Sequence, residues 1–482
     1  MTAMEAPPVV LDCRGLPPAL TVLRVKQAVC AGPAPDAPLG VVLDPECGRD
    51  RLADALGAAA ARRLRYLPPS AVDGPDPAAA PPPAAWWQRP DLRHTDGRLH
   101  LGRTDLEALA ARTGTPVHVL SADRVRENVR RLAAALDAAG VDHRIHYAIK
   151  ANRSTALLTY LRTLGLCGVD VCSAGELRHA AACGFPADAI SFTGTSLSAQ
   201  DIDVLARFDG LRINLDSRSS LDALGRARPG REVGLRVNPA AGAGYQGDPR
   251  LSYSGAPTTK FGVYREHLDD ARAIAARHGL KIVRLHFHVG CGWLDPQLGE
   301  LEDALDAADA FTAHFPDLRE VNIGGGLGVP HTPADAPLDL DRWAAAVARR
   351  FAGRGLTVAV EPGDYLVKDA GLLLTTVTYV ERRRDVLFAG LDAGFNLAME
   401  PVFYGLPCEP VAVTPRWDEG TETYTVVGNI NEALDQWAVD HPMPRLREGD
   451  RVALINAGGY AASMRSDHCL REAAGDVLLI DQ

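Results

Sequence analysis

From Thr104 onward the chain alternates short apolar runs with stretches whose apolar residues recur every three or four positions. VHVL is followed by RVRENVRRLAAALDAAG and IHYAIKA by LLTYLRTL, and EVNIGGGLG and LTVAVEPG continue the series. A period near two predicts strand and a period near 3.6 predicts helix, so the alternation predicts repeated βα units with parallel strands. Such units close into a (β/α)8 TIM barrel. After about Glu361 the period moves toward two in LLLTTVTYVERR, DVLFAGLDA, TYTVVGN and RVALINAGGY, which predicts a C-terminal β domain.

Two shorter patterns precede the barrel. VVLDCRGLPPALTVLRVKQAV reads as strand, turn and helix, and LGVVLDPECGRDRLADALGAAAARR as strand, Asp-Pro turn and helix. Together they predict a small α/β sandwich domain over residues 1–66. Between Leu67 and Pro90 proline and alanine displace any periodicity. Proline fixes φ and lacks an N–H, so residues 67–91 read as an extended linker.

Composition narrows the function classes. A chain of 482 residues exceeds one hydrophobic core, and 46% apolar residues suit a globular protein with several. No run of about 18 apolar residues occurs, and the start, MTAMEAPPVV, lacks a basic region followed by an apolar one. A cytoplasmic protein without a membrane segment is expected. The nine cysteines are scattered without a CxxC or His-spaced pattern, which argues against a disulfide framework and against a metal site. A net charge of −10 without a basic stripe offers nothing to nucleic acid or an anionic membrane, leaving a small molecule as the expected partner.

The chemistry is carried by an ordered series of motifs: YAIKAN, CSAGEL, LRVNP, KFG, HFHVGCG, GGGLG, EPGDYLV, LDAGFN and NAGGY. Alone, a lysine at a strand end or a run of glycines means little. In this order they resemble the alanine-racemase-like barrel decarboxylases of fold type III, which include diaminopimelate, ornithine and biosynthetic arginine decarboxylases. The resemblance spans residues 92–482 and implies a barrel over 115–365 and a β domain built from 92–114 and 366–482, with GRLHLGR as its first strand.

It also implies pyridoxal 5′-phosphate (PLP) as cofactor and a homodimer with shared active sites. On the matching positions Lys150 becomes the Schiff-base lysine, with burial favouring its neutral amine, and Glu361 the partner of the ring nitrogen. His288 is assigned to stacking on the ring; because His286 is two residues away, the two imidazoles should take opposite strand faces and only one should reach the barrel mouth. Gly324, Gly325, Gly326 and Tyr460 are assigned to the phosphate. Asp170, Glu176 and Arg236 match further motif positions, with Arg236 a partner for the cofactor or for Glu176.

Several positions depart from the family. Where its GPxCESxD pattern has a cysteine that handles Cα protonation in the neighbouring subunit's site, GNINEALD has Asn431, while Gly428, Glu432 and Asp435 are kept. An amide does not titrate near neutrality, so Asn431 marks a changed protonation step. Cys291 stands where the family has a serine beside the phosphate. The arginines that grip diaminopimelate's distal carboxylate are replaced by Asp364 and, in EPVFY, by Glu400, with Tyr404 of that stretch retained. Two cation-to-anion changes should repel that carboxylate. The expectation is therefore a decarboxylase-like enzyme of specialised metabolism that acts on a basic amino acid or a conjugate and not on diaminopimelate. The alternatives are another fate of the same intermediate (elimination, racemisation or oxidative decarboxylation) and a non-catalytic scaffold.

The N-terminal unit resembles the TusA/SirA sulfur carriers through Leu11, Asp12, Arg14, Gly15 and Leu16 and through Asp44, Pro45 and Asp50. Pro18 holds the carrier cysteine's place, with Ala19 and Thr21 at the following prolines, and nothing makes Cys13 or Cys47 a substitute. This implies a degenerate domain that binds a protein partner.

Overall fold

The computed structural model describes residues 9–13, 21–22, 24–25, 28–29, 39–43, 49–67, 85–242, 244–255 and 257–481. Eight parallel strands close into a barrel: β1 (His143–Ala148), β2 (Gly168–Val171), β3 (Ile190–Gly194), β4 (Arg212–Leu215), β5 (Glu232–Arg236), β6 (Lys281–His286), β7 (Glu320–Asn322) and β8 (Thr357–Val360). Closure comes from β8 against β1, with Val358 opposite His143. Helices start soon after the strands because capping residues stand there. Ser173 accepts from the Glu176 amide at 3.1 Å, and Ser198 and Asp201 cap their helix reciprocally.

The strands are buried on both faces, yet they are not uniformly apolar. Val169, Val171, Ile213 and Leu215 join the main hydrophobic cluster with Leu177, Leu205 and Leu224 of the surrounding helices. Each such side chain stabilises the fold by about 1.5–3 kcal/mol. The intervening residues are polar and form a column: Arg212 pairs with Glu320, and Asn214 donates to Thr193 Oγ1 at 2.9 Å and to Ser191 Oγ at 3.3 Å. Glycine is required where neighbouring groups crowd the strand backbone. A Cβ on Gly234 would lie 2.1 Å from Asn214 Oδ1, and one on Gly168 2.8 Å from His146 Cδ2.

The β domain is an eight-stranded sheet built around the long strand Gly371–Arg383. Val117–Ser121, expected in the barrel, pairs antiparallel with that strand and in parallel with Gly475–Leu479. The barrel's first helix, Ala122–Ala138, starts at the next residue. A buried five-residue strand gives the same pattern in either sheet, so periodicity does not separate them. GRLHLGR contributes Arg98–Leu101 to a small sheet with Leu92–Thr95 and Thr104–Asp105, joined to the β domain through Leu99 N–H donating to Val413 O at 2.7 Å. The β domain also completes the barrel mouth. Tyr460 N donates to Ala151 O at 2.8 Å, and Asn152 Nδ2 to Gly458 O at 3.0 Å.

In the N-terminal unit, Val9–Asp12, Leu39–Val42 and Leu64–Leu67 form a parallel sheet with Leu39–Val42 central. Cys13 is buried in its core with Val25, Val41 and Leu52. Arg14, Gly15, Leu16, Pro18, Ala19, Asp44, Pro45 and Cys47 lie outside the described residues. Leu67 ends a strand and Trp87 is buried, which moves the inner edges of the expected linker at both ends. Among the described residues no helix is long and apolar enough to cross a membrane.

Candidate active site

Lys150 lies two residues past the end of β1, in a turn held by Tyr147 Oη donating to Asn152 O at 2.9 Å and by Ile149 N donating to Asp170 O at 3.1 Å. Its side chain is exposed to a pocket at the C-terminal mouth of the barrel, although protein surrounds it on most sides. Burial lowers its pKa, but Asp170 and other neighbours including Glu361 outweigh burial and raise it. The expectation of a neutral amine is corrected: the free lysine is charged.

Glu361, directly after β8, closes the polar column. Its Oε1 accepts from Ser191 Oγ at 2.8 Å and from Asn322 Nδ2 at 2.6 Å, and its Oε2 lies 2.9 Å from His286 Nε2. Burial would raise its pKa; His286 and Ser191 reverse this and hold it well below the ordinary carboxylate range. Asp170 moves the other way. Burial and the neighbouring Glu361 charge raise its pKa far above the usual value. Two buried carboxyl groups this close cannot both ionise, so Asp170 keeps the proton and Glu361 the charge.

β6 ends at His286, so strand alternation does not extend to His288, and both imidazoles line the pocket. This corrects the expectation that only one would. The His288 ring is tilted against Tyr253 at 4.8 Å between centroids, and its Nε2 lies 3.6 Å from Cys291 Sγ. Burial first, then Lys150 and Arg236, push its pKa well below the usual histidine value, so it is neutral. Its Nδ1 has no hydrogen-bond partner among the described residues. Arg236 lines the same pocket with its guanidinium 4.5 Å from the Phe261 ring centroid. Glu176, its suggested partner, instead accepts from the Cys172 amide at 2.8 Å and so tightens the helix start.

The glycine run bends around the opposite wall. Gly324 and Gly326 have φ of +69° and +104°, and a Cβ on Gly325 would stand 2.3 Å from Glu361 O. The Gly325 and Gly326 amides donate to no described residue. Tyr460 Oη comes within 3.3 Å of where a Gly363 Cβ would stand. These are the parts PLP needs: an amine, an ionised carboxylate, an imidazole on the wall, unpaired amides and a hydroxyl. The residues fit the cofactor.

Asp364 also lines the pocket, but the other predicted anion does not stand free. Between them lies Lys368, 1% exposed, with its ammonium 3.1 Å from Asp364 Oδ2 and 2.8 Å from Glu400 Oε2. Both carboxylates outweigh burial and raise the Lys368 pKa. For Glu400 burial wins, pushing it up to about 7. Lys368 went unnoticed in the sequence, although its i+4 spacing from Asp364 on a helical turn was a readable signal. Thr193 and Asn322 were likewise missed, and His286 was named only as the imidazole turned away from the mouth; each stands at or near the end of a barrel strand.

The remaining predicted residues are not brought to this pocket within one chain. Asn431 and Glu432 are exposed. Asp435 is buried, with its carboxylate accepting from the Phe395 amide at 2.8 Å and the Ile430 amide at 2.6 Å, so it shapes the turn. Tyr404 ends the helix Glu400–Tyr404, with its carbonyl accepting from Arg250, and packs behind the pocket in the same small cluster as Cys291.

A (β/α)8 barrel with this mouth and an added β domain defines a fold type III PLP enzyme. The pyridoxal-binding domain of the pyridoxal-dependent decarboxylases matches residues 122–368. Diaminopimelate decarboxylase of Methanothermobacter thermautotrophicus is 36% identical over 402 residues, covering 81% of this chain and 92% of that protein. The Pseudomonas aeruginosa diaminopimelate decarboxylase is 34% identical, covering 80% and 92%. Among solved structures, diaminopimelate decarboxylase from M. jannaschii in complex with L-lysine has a TM-score of 0.73 at 26% identity, covering 81% of this chain and 93% of that one. The chain belongs to the pyridoxal-dependent decarboxylases, and it is a PLP-dependent amino-acid decarboxylase.

The expectation of a substrate other than diaminopimelate is overturned by these relatives, which are diaminopimelate decarboxylases at 29–36% identity. The alternative reactions and the scaffold fall with it. The physical error was to count Asp364 and Glu400 as two bare anions, when Lys368 neutralises one charge and Glu400 is held near half-protonation.

Proposed function

We propose that the protein decarboxylates one end of diaminopimelate, yielding lysine. The observation that carries this reading is the 36% identity with a diaminopimelate decarboxylase across 81% of the chain. The Lys368-centred charge balance removes the electrostatic objection.

In this reading Lys150 would hold the cofactor, Glu361 would pair with its ring nitrogen, His288 would stack on the ring, and Gly324, Gly325, Gly326, Cys291 and Tyr460 would receive its phosphate. When bound, PLP supplies the sink for the electron pair left behind as the α-carboxylate departs. Glu361, kept ionised by Ser191, Asn322 and His286, would favour a proton on the ring nitrogen of the bound cofactor. Arg236 and the protonated Asp170 complete the wall without adding negative charge. Asn431 cannot return a proton to Cα, whereas Lys150 Nζ, charged when free, bears one inside the pocket.

The reading extends to a homodimer in which the exposed turn at Asn431 and Glu432 reaches the partner's pocket, with the N-terminal unit as a docking domain for a protein partner. A strictly monomeric active enzyme would contradict the first part. Steady-state CO2 release from meso-diaminopimelate, ornithine and arginine tests the substrate: the highest kcat/KM is expected for diaminopimelate, and a preference for either of the others refutes it.

A further inference from the structure

Asp364 leaves one oxygen without a task. Oδ2 is held by Lys368 at 3.1 Å, while Oδ1 has no hydrogen-bond partner among the described residues. The side chain is 13% exposed and lines the same pocket as Lys150 and Tyr460. Lys368 cannot turn away to offer its charge to a ligand, because it is 1% exposed and also bound to Glu400 at 2.8 Å. The triad therefore places at the pocket wall an anchored carboxylate whose second oxygen is buried and unsatisfied. Buried acceptors without partners are costly unless a ligand completes them.

We propose that Asp364 is a specificity-determining residue that takes the ammonium at the non-reacting end of the substrate, with Lys368 as the positioning residue that fixes its carboxylate. This rests on the diaminopimelate reading and deepens it. Diaminopimelate carries an amino group at each end, and only one is consumed at Lys150. The distal ammonium is a cation with three donors, the complement of an anchored carboxylate with a free acceptor. A remote contact of this kind lowers KM and raises discrimination against substrates that lack the group.

The test compares meso-diaminopimelate with D-2-aminopimelate, which lacks only the distal amino group, on the PLP-loaded enzyme. A hydrogen bond to a charged group corresponds to roughly tenfold to hundredfold discrimination. The wild-type enzyme is expected to prefer meso-diaminopimelate in kcat/KM by at least about tenfold. Asp364→Asn should bring that ratio to within about twofold of one, with most of the loss for diaminopimelate appearing in KM. Lys368→Met should lower the ratio in the same direction. A ratio unchanged in Asp364→Asn, whatever happens to the individual rates, overturns the proposal, as does a wild-type ratio near one. Turnover of neither pimelate by the wild type instead overturns the diaminopimelate reading, and the proposal with it.

Discussion

The triad of Asp364, Lys368 and Glu400 holds two acids and one base in a nearly water-free place, which makes the effect of Glu400→Gln counterintuitive. Glu400 titrates at about 7 in the folded protein against an ordinary 4.5. Below pH 4.5 it is protonated in both folded and unfolded chains, and there is no cost. As pH rises from 4.5 to 7 the unfolded chain releases this proton while the folded one retains it, so stability falls, levelling off above 7. The interval, 7 minus 4.5, at 1.36 kcal/mol per pH unit gives about 3 kcal/mol. Glutamine keeps an acceptor for Lys368 and leaves Asp364 as its counter-charge. Relative to wild type, Glu400→Gln should therefore gain about 2.5 kcal/mol between pH 5 and pH 8, the part of that cost which falls above pH 5, in urea unfolding followed by tryptophan fluorescence. An equal difference from wild type at the two pH values would refute the reasoning, because Glu400 would then be a fully ionised and favourable partner of Lys368.

Other expectations concern the cofactor side of the pocket. Borohydride reduction of PLP-loaded protein should leave the cofactor on the peptide containing Lys150, and Lys150→Ala should show no such labelled peptide. Asn322→Leu removes one of three groups that hold the Glu361 charge, worth about 1.5–3 kcal/mol, and should lower kcat by roughly tenfold to hundredfold with little change in KM. Gly325→Ala places a methyl group against the Glu361 carbonyl and should weaken PLP binding, measured by absorbance titration, while lowering stability by about 1–3 kcal/mol.

The barrel and the residues gathered at its mouth were legible because each is written locally. Lys150, Glu361 and the glycine run stand next to apolar strands, and the strand ends open on one mouth. What escaped depends on groups meeting across the fold. Lys368 changes the meaning of Asp364 and Glu400, and 32 residues separate it from Glu400, so reading each substitution singly gave the wrong net charge and the wrong substrate. The polar column under Glu361 draws on β3, β6 and β7, none of which announces its inward face by periodicity alone. Val117–Ser121 looked like a barrel strand because burial on both faces erases the alternation that marks a sheet with one wet side. Asn431, Glu432 and Asp435 share one short turn, yet two face outward and the third serves the backbone, a division that sequence spacing does not encode.

The most direct test of the account is mass spectrometry of the PLP-loaded enzyme turning over meso-diaminopimelate in D2O. The expected result is loss of one CO2 and lysine carrying a single deuterium at Cε, the carbon that lost the carboxylate, delivered from an exchangeable group such as Lys150 Nζ. Diaminopimelate recovered unchanged, or deuterium exchange without CO2 release, would contradict it.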